Sequence, residues 1–153
     1  MKILPFIFIL LITIIFFSCE KNDEILTTPN YPFFLPKAGV YIYSGYDSLG
    51  TYIVQGKIRF YYSDSSTIRG SWALTAIGNP SSIGPQIGSD TLWGHYSNSQ
   101  YTLELNPQVV DNNVSISLFN KIDSQTYTGK WVWITESGYT NYGKAQFVTD
   151  SIY

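Results

Sequence analysis

The sequence has little of what disulfide-bonded, metal-binding and nucleic-acid-binding domains need. Its 153 residues include one cysteine and one histidine, and 13% are charged. A lone cysteine excludes an intramolecular disulfide, and a lone histidine disfavours a zinc site. The nine lysines and arginines are scattered singly, so they form no basic stripe for phosphates. We therefore expect one domain with no nucleic-acid partner, no bound metal and no other cofactor.

Catalytic groups are equally sparse. Catalysis normally needs converging titratable side chains, and the eleven carboxylates are dispersed along the chain. His95 alternates out of phase with the apolar Leu92 and Tyr96, which predicts a position on the surface. We expect that the protein is not an enzyme and that it has no catalytic residue.

What the chain does have begins at its first residue. Met1 and Lys2 precede fifteen residues, 3–17, that are apolar except for Pro5 and Thr13. A basic start followed by such a run is typical of a secretory signal peptide. The run is too short for a comfortable membrane span, which needs about 20 apolar residues.

The residues that end this run are Phe16, Phe17, Ser18 and Cys19. They resemble the lipobox of bacterial lipoproteins, which implies a signal peptide over 1–18 and lipid attachment at Cys19. The membrane would then be a partner through that lipid, since two or three acyl chains anchor a protein stably. Two alternatives are an ordinary signal peptide with an incidental cysteine and an uncleaved membrane anchor.

The charged residues 20–24 resemble the short signal that sends some Gram-negative lipoproteins to the outer cell surface. We expect an outer-membrane lipoprotein displayed at the surface; a periplasm-facing position and inner-membrane retention are the alternatives. Residues 19–37 are predicted to be a flexible tether, because Pro29, Pro32 and Pro36 resist helix. Tyr31, Phe33 and Phe34 are expected to plug the domain or to touch the bilayer.

Residues 38–153 alternate between apolar and polar side chains, which is typical of half-buried β-strands. In 52–62, for example, Tyr52, Val54 and Tyr62 are assigned to the inner face and Ile53 to the outer one. The predicted strands are 39–46, 52–62, 67–77, 90–97, 100–106, 113–119, 126–135 and 142–150. We predict an all-β, eight-stranded antiparallel up-and-down β-barrel, with a two-sheet sandwich as the alternative.

Two tripeptides, Gly70-Ser71-Trp72 and Gly129-Lys130-Trp131, match the Gly-x-Trp of lipocalin-like and avidin-like barrels. The domain therefore resembles those meander barrels, which implies their fold and leaves the binding residues open. Here the first strand has Gly39-Val40-Tyr41 instead of the tripeptide.

Aromatic side chains dominate the predicted inner face. Such rings either interdigitate as a dry core or line a pocket for a small apolar or planar ligand. The candidate ligand-binding residues are Tyr41, Tyr43, Trp72, Tyr96, Tyr101, Trp131 and Trp133. The further rings assigned inward are Tyr52, Phe60 and Phe147.

One uncharged loop, 77–89, is longer than the other connections. Long loops at a barrel mouth act as lids or contact surfaces, and Ile83 and Ile87 would equally suit a plug. Trp93, Phe119, Val132 and Ile134 are assigned outward and would form an apolar patch. We expect a non-catalytic lipoprotein that binds a small apolar ligand. The alternative is an accessory module that docks on another envelope protein through its outer face or this loop.

Overall fold

A computed structural model describes residues 35–80, 83–98, 100–109 and 111–153. The predicted signal peptide, Cys19 and the tether up to residue 34 lie outside the described residues. The described residues form eight β-strands. These are β1 Gly39–Asp47, β2 Tyr52–Ser63, β3 Thr67–Ala76, β4 Gly88–Ser97, β5 Gln100–Glu104, β6 Asn112–Lys121, β7 Thr126–Thr135 and β8 Gly138–Ile152.

Each strand pairs antiparallel with the next, and β1 also pairs with β8. The last pairing runs from Gly39 opposite Ile152 to Asp47 opposite Gly143, so the first and last strands close a barrel. The predicted eight-stranded up-and-down barrel is confirmed, and the alternative sandwich is wrong. Among the described residues, no helix is long and apolar enough to cross a membrane.

Two β-bulges change the predicted inner face of β2. The register shifts where Tyr46 pairs with Tyr52, so that Ile53 is an extra residue. Ile53 is buried and Tyr52 is 38% exposed, the reverse of the prediction. A second shift follows Phe60, and Tyr62 is 52% exposed although it was assigned inward. Period-two alternation fails here because a bulge places two residues opposite one.

The Gly-x-Trp tripeptides mark places where neighbouring strands approach closely. A Cβ atom at Gly70 would lie 2.1 Å from the carbonyl oxygen of Arg59. At Gly129 it would lie 2.1 Å from that of Ser117. No side chain fits at such a distance, whereas the tryptophan two residues later, Trp72 or Trp131, points into the barrel and is buried.

The barrel has two unlike ends. The terminal end carries residue 35, the C-terminal Tyr153 and the short connections 64–66, 98–99 and 122–125. The loop end carries 48–51, 77–87, 105–111 and 136–137. Both of the longer connections, 77–87 and 105–111, therefore meet at the end opposite the described N-terminus.

Candidate binding site at the loop end of the barrel

The inner face is filled with aromatic rings that touch one another. The ring centroids of Tyr41 and Phe60 are 4.9 Å apart, and those of Tyr43 and Phe147 are 5.2 Å apart. Five of the seven candidate ligand-binding residues are buried, and Tyr96 and Trp133 are half-buried. The five buried ones are Tyr41, Tyr43, Trp72, Tyr101 and Trp131.

The hydrogen bonds of these side chains show which end of the barrel each ring belongs to. At the terminal end, the hydroxyl of Tyr41 donates to the carbonyl of Lys37 at 2.7 Å. The hydroxyl of Tyr101 donates to the carbonyl of Asp64 at 2.9 Å. Tyr96 packs on Tyr101, with centroids 5.0 Å apart, and belongs to the same group. Backbone carbonyls at the terminal end thus hold the rings of Tyr41 and Tyr101, and Tyr96 packs against the second of them.

The three inward tryptophans donate their hydrogen bonds to residues at the loop end instead. The indole N–H of Trp131 donates to the carbonyl of Tyr46 at 2.8 Å, and that of Trp133 donates to Oδ1 of Asn112 at 2.7 Å. The indole of Trp72 donates to the carbonyl of Leu105. Because a buried N–H without a partner costs free energy, these bonds fix the orientation of the rings. The structure thus places Trp72, Trp131 and Trp133 at one mouth, together with Tyr43.

Residues 83–87, which we call the lid, cover this mouth. Ile83 is 4% exposed and packs on the hydrophobic core. Gln86 has no exposure and is the one polar side chain counted as buried among the described residues. Its Oε1 accepts from the Tyr43 hydroxyl at 3.0 Å, and its Nε2 donates to the Ile83 carbonyl at 2.8 Å. The amide thereby ties β1 to the lid.

Two further contacts seat the lid. Gly84 adopts a left-handed φ of +60°, and a Cβ there would lie 2.7 Å from the ring of Trp133. Asn106, in the neighbouring connection 105–111, donates its Nδ2 to the carbonyl of Pro85 at 3.2 Å. The lid therefore rests directly on an inward tryptophan and is bonded to the second long connection.

Burial controls the protonation of Tyr43. Loss of solvent raises the pKa of its phenol far above the usual 10, because the phenolate would be stranded in an apolar interior. The hydroxyl therefore remains neutral and keeps its proton for the bond to Gln86 near neutral pH.

The wall beside the lid is incomplete. β4 has ten residues and β5 has five, and their pairing stops where Trp93 lies opposite Glu104. Residues 88–92 thus face the connection 105–111 on that side instead of a strand. The fifth strand was predicted to extend to 106, so this free strand edge was missed.

The lid is where sequence reasoning succeeded least. Of the two isoleucines proposed for the plug alternative, Ile83 is 4% exposed and packs on the core, whereas Ile87 is 51% exposed. Gln86 was missed, because an amide in an uncharged loop reads as a solvated residue and period-two alternation does not extend into loops. The sequence offers no local signal that would have identified it.

The predicted outer patch is interrupted. Trp93 is 48% exposed, and the guanidinium carbon of Arg69 lies 4.5 Å from its ring centroid. Between Trp93 and Val132 the cross-strand neighbours are Glu104 and Ser115, so polar side chains separate the two apolar ones. A continuous apolar patch is therefore wrong for these two residues. The side chain of Phe119 lies outside the described ones.

His95 is exposed on β4, as predicted. No group of three His, Cys, Asp or Glu residues that could hold a metal ion occurs among the described residues. Burial raises the pKa of Glu104, whose oxygens accept hydrogen bonds from Ser115 and Asn113. This carboxyl is outside the barrel and is bonded to neighbours on β6.

Comparisons with protein-family models, with curated proteins and with solved structures give no match.

Proposed function

We propose that this protein is a lipid-anchored lipoprotein of the bacterial cell envelope whose barrel binds a small apolar ligand without catalysis. The observation that carries the proposal is the lid at the loop end. It closes the mouth with one isoleucine and one buried amide, directly above Tyr43 and the inward tryptophans. A ligand that displaces Ile83 and Gln86 would meet the rings of Tyr43 and Trp133, which contact the lid.

The energy of opening is compatible with such exchange. Exposing Ile83 costs about 2 kcal/mol of hydrophobic burial, and each of the two hydrogen bonds that join the lid to other segments, Tyr43 to Gln86 and Asn106 to Pro85, contributes about 1 kcal/mol. The sum, about 4 kcal/mol, corresponds to roughly one open molecule in a thousand. A ligand would therefore bind about a thousandfold more weakly than to an open barrel, so nanomolar intrinsic affinity becomes micromolar.

The envelope location rests on the leader and Cys19. Residue 35 enters the barrel at the terminal end, where the carbonyl of Pro36 accepts from Ser63. A lipid on Cys19 would therefore hold the domain by that end, leaving the lid at the opposite one. Metabolic labelling with an alkyne-tagged palmitate tests the anchor. We expect labelled protein in the membrane fraction and no label on Cys19→Ser; equal labelling of both would contradict the assignment.

Uptake of the neutral probe N-phenyl-1-naphthylamine tests the pocket. Binding should raise probe fluorescence and quench the tryptophans near the lid. Trp72→Ala and Trp131→Ala should lower uptake, whereas Trp93→Ala, on the outer wall, should leave it unchanged. Circular dichroism checks that each variant keeps its strands. Equal effects of all three substitutions, or no uptake by the wild type, would argue against a ligand under the lid.

Docking on another envelope protein is the second candidate, and the free edge of β4 favours it. Residues 88–92 present an edge without a strand partner among the described residues, and exposed edges pair with extended segments of other chains. A photocrosslinking amino acid at Thr91, in intact cells, should yield a protein adduct. A matched label at Ser137, in the connection between β7 and β8, should not. The absence of any adduct from Thr91 would count against docking.

A further inference from the structure

One pocket on the outside of the barrel lies away from the lid and the interior. It has a volume of about 490 Å³ on the outer surface of β1, β7 and β8. Its lining residues are Tyr46, Gly50, Thr128, Gly129, Lys144, Ala145 and Gln146. The lining thus combines one phenol ring, one ammonium group, one amide and one aliphatic hydroxyl, with glycine and alanine between them.

The charge at this pocket is unbalanced. Lys144 lies directly opposite Lys130 in the pairing of β7 with β8, and like charges in that position repel each other. Among the described residues, the single ion pair joins Lys57 and Asp150, at 3.0 Å, so no carboxylate pairs with either lysine there. Lys130 lies 4.5 Å from the ring centroid of Tyr142, which compensates its charge only in part. An anion bound at Lys144 would reduce the repulsion between the two lysines.

Tyr46 supplies a fixed aromatic wall. Its ring centroid lies 5.3 Å from that of Tyr52, with the planes tilted by 32°, and its hydroxyl donates to Oε1 of Gln146 at 3.4 Å. Since the ring is supported on one side and bonded at its tip, it is oriented before any ligand arrives. Thr128 lies opposite Gln146 in the strand pairing, so a hydroxyl and an amide share the next row.

We propose that this outer pocket binds an anionic saccharide, a sugar ring that carries a carboxylate or a sulfate. The acidic group would bind the ammonium group of Lys144 through charge-assisted hydrogen bonds. The apolar C–H face of the sugar would pack on Tyr46, and its hydroxyls would exchange hydrogen bonds with Gln146 and Thr128. A free inorganic anion would use the lysine alone and would leave the tyrosine and the amide without a role.

The position of the pocket favours a saccharide over a lipid surface. Tyr46 and Gly50 lie at the loop end of β1 and in the connection 48–51. The described chain enters the barrel at the other end, so this part of the pocket is distant from the point at which a lipid-anchored tether would join the barrel. The pocket is independent of ligand uptake under the lid, because its polar side chains, those of Thr128, Lys144 and Gln146, alternate with the buried Ala145 and lie on the outer face of the wall.

Isothermal titration of the full-length protein in detergent, at low salt, tests the proposal. The probes are trigalacturonate, neutral maltotriose and inorganic phosphate. Trigalacturonate should bind, maltotriose should bind at least tenfold more weakly, and phosphate should compete only at far higher concentration. Equal binding of the two trisaccharides, phosphate competition at equal concentration, or no heat with trigalacturonate at millimolar concentration would overturn the proposal.

Three variants locate the site. Lys144→Gln should weaken trigalacturonate binding roughly tenfold or more, since it removes a hydrogen bond to a charged group. Tyr46→Leu should weaken it several-fold while sparing phosphate. The matched control, Lys57→Gln, removes the same charge from the part of the wall where Asp150 neutralises it. The control should change the affinity for trigalacturonate less than twofold; a loss equal to that of Lys144→Gln would indicate unspecific charge attraction and contradict the site.

A lipid surface is tested separately. Sedimentation with phosphatidylglycerol vesicles that depends on Lys144 would contradict the saccharide proposal.

Discussion

The hydroxyl of Tyr43 donates a hydrogen bond to Oε1 of Gln86 across 43 positions of sequence, and both side chains are fully buried. This bond joins the first strand of the barrel to the end of its longest connection, just before β4. It is a polar contact in an apolar space, where a partner that loses its bond has no water to replace it. The closure of the loop end therefore depends on two side chains that must be present together.

Replacing one member of this pair should destabilise the protein by more than the free energy of the hydrogen bond, because the other member stays buried without a partner. Gln86→Leu strands the Tyr43 hydroxyl, and Tyr43→Phe strands the amide oxygen, so we expect each to lower the free energy of unfolding by roughly 1–3 kcal/mol. The double variant should cost less than the sum, giving a coupling of about 1 kcal/mol in urea denaturation.

The chain contains a matched control for that cycle. Tyr52 donates its hydroxyl to Oε1 of Gln55 at 3.3 Å, in an exposed position. The corresponding cycle with Tyr52→Phe and Gln55→Leu should show coupling near zero, because water replaces the bond. Similar coupling in both cycles would mean that burial adds nothing to the Tyr43 contact.

The contact between the lid and the ring of Trp133 can be tested by substituting two glycines of the same loop. Gly84 and Gly78 have φ values of +60° and +71°, so alanine is strained to a similar degree at both. A Cβ at Gly84 would collide with the Trp133 ring, whereas at Gly78 it would meet no atom within 4 Å. Gly84→Ala should therefore lower the melting temperature further than Gly78→Ala and shift tryptophan emission to the red. Equal shifts from both substitutions would show that the lid does not press on this ring.

The indole of Trp72 should stabilise the barrel where the connection 105–111 lies beside β4, because it bonds to the carbonyl of Leu105. Trp72→Phe deletes the N–H that bonds to Leu105 and part of a ring that is 4% exposed. We expect a loss of roughly 2–4 kcal/mol from the missing bond and the cavity combined. Trp93→Phe, at a ring 48% exposed, should change the free energy of unfolding by less than about 0.5 kcal/mol. Chemical denaturation of both variants measures the difference.

Alkaline pH should open the structure through its buried phenols. Burial raises the pKa of Tyr43 in the folded state above the ordinary 10, so the folded protein favours the neutral phenol. The resulting stability is fully present below pH 10 and is lost as the pH rises above it, by about 1.4 kcal/mol per pH unit for one group. Tyr43→Phe should make the stability curve less steep above pH 10. An unchanged slope in urea titrations would show that this phenol ionises without opening.

The alternation of side chains made the barrel predictable, because every strand has one face in the core. It predicted the burial of Tyr41 and Trp131 and the exposure of His95, and it failed where the backbone departs from strict pairing. The bulge at Ile53 turned Tyr52 from the predicted inner face to the outer one. The short β5 leaves part of β4 without a partner on that side, and the amino-acid composition gives no sign of it. The lid depended on contacts between distant segments, such as Gln86 with Tyr43, which no local pattern encodes.

The most direct test of ligand binding under the lid is an engineered disulfide that holds the lid closed and can be reduced again. Asn106 donates a hydrogen bond to the carbonyl of Pro85 in the lid, so the two residues are neighbours, and oxidation of a Pro85→Cys/Asn106→Cys pair is used to attach the lid to the connection 105–111. Uptake of N-phenyl-1-naphthylamine is then measured before and after reduction, with mass spectrometry confirming the disulfide. We predict that the oxidised protein takes up no probe and that reduction restores uptake to the wild-type level. Equal uptake in both states would contradict entry through the lid.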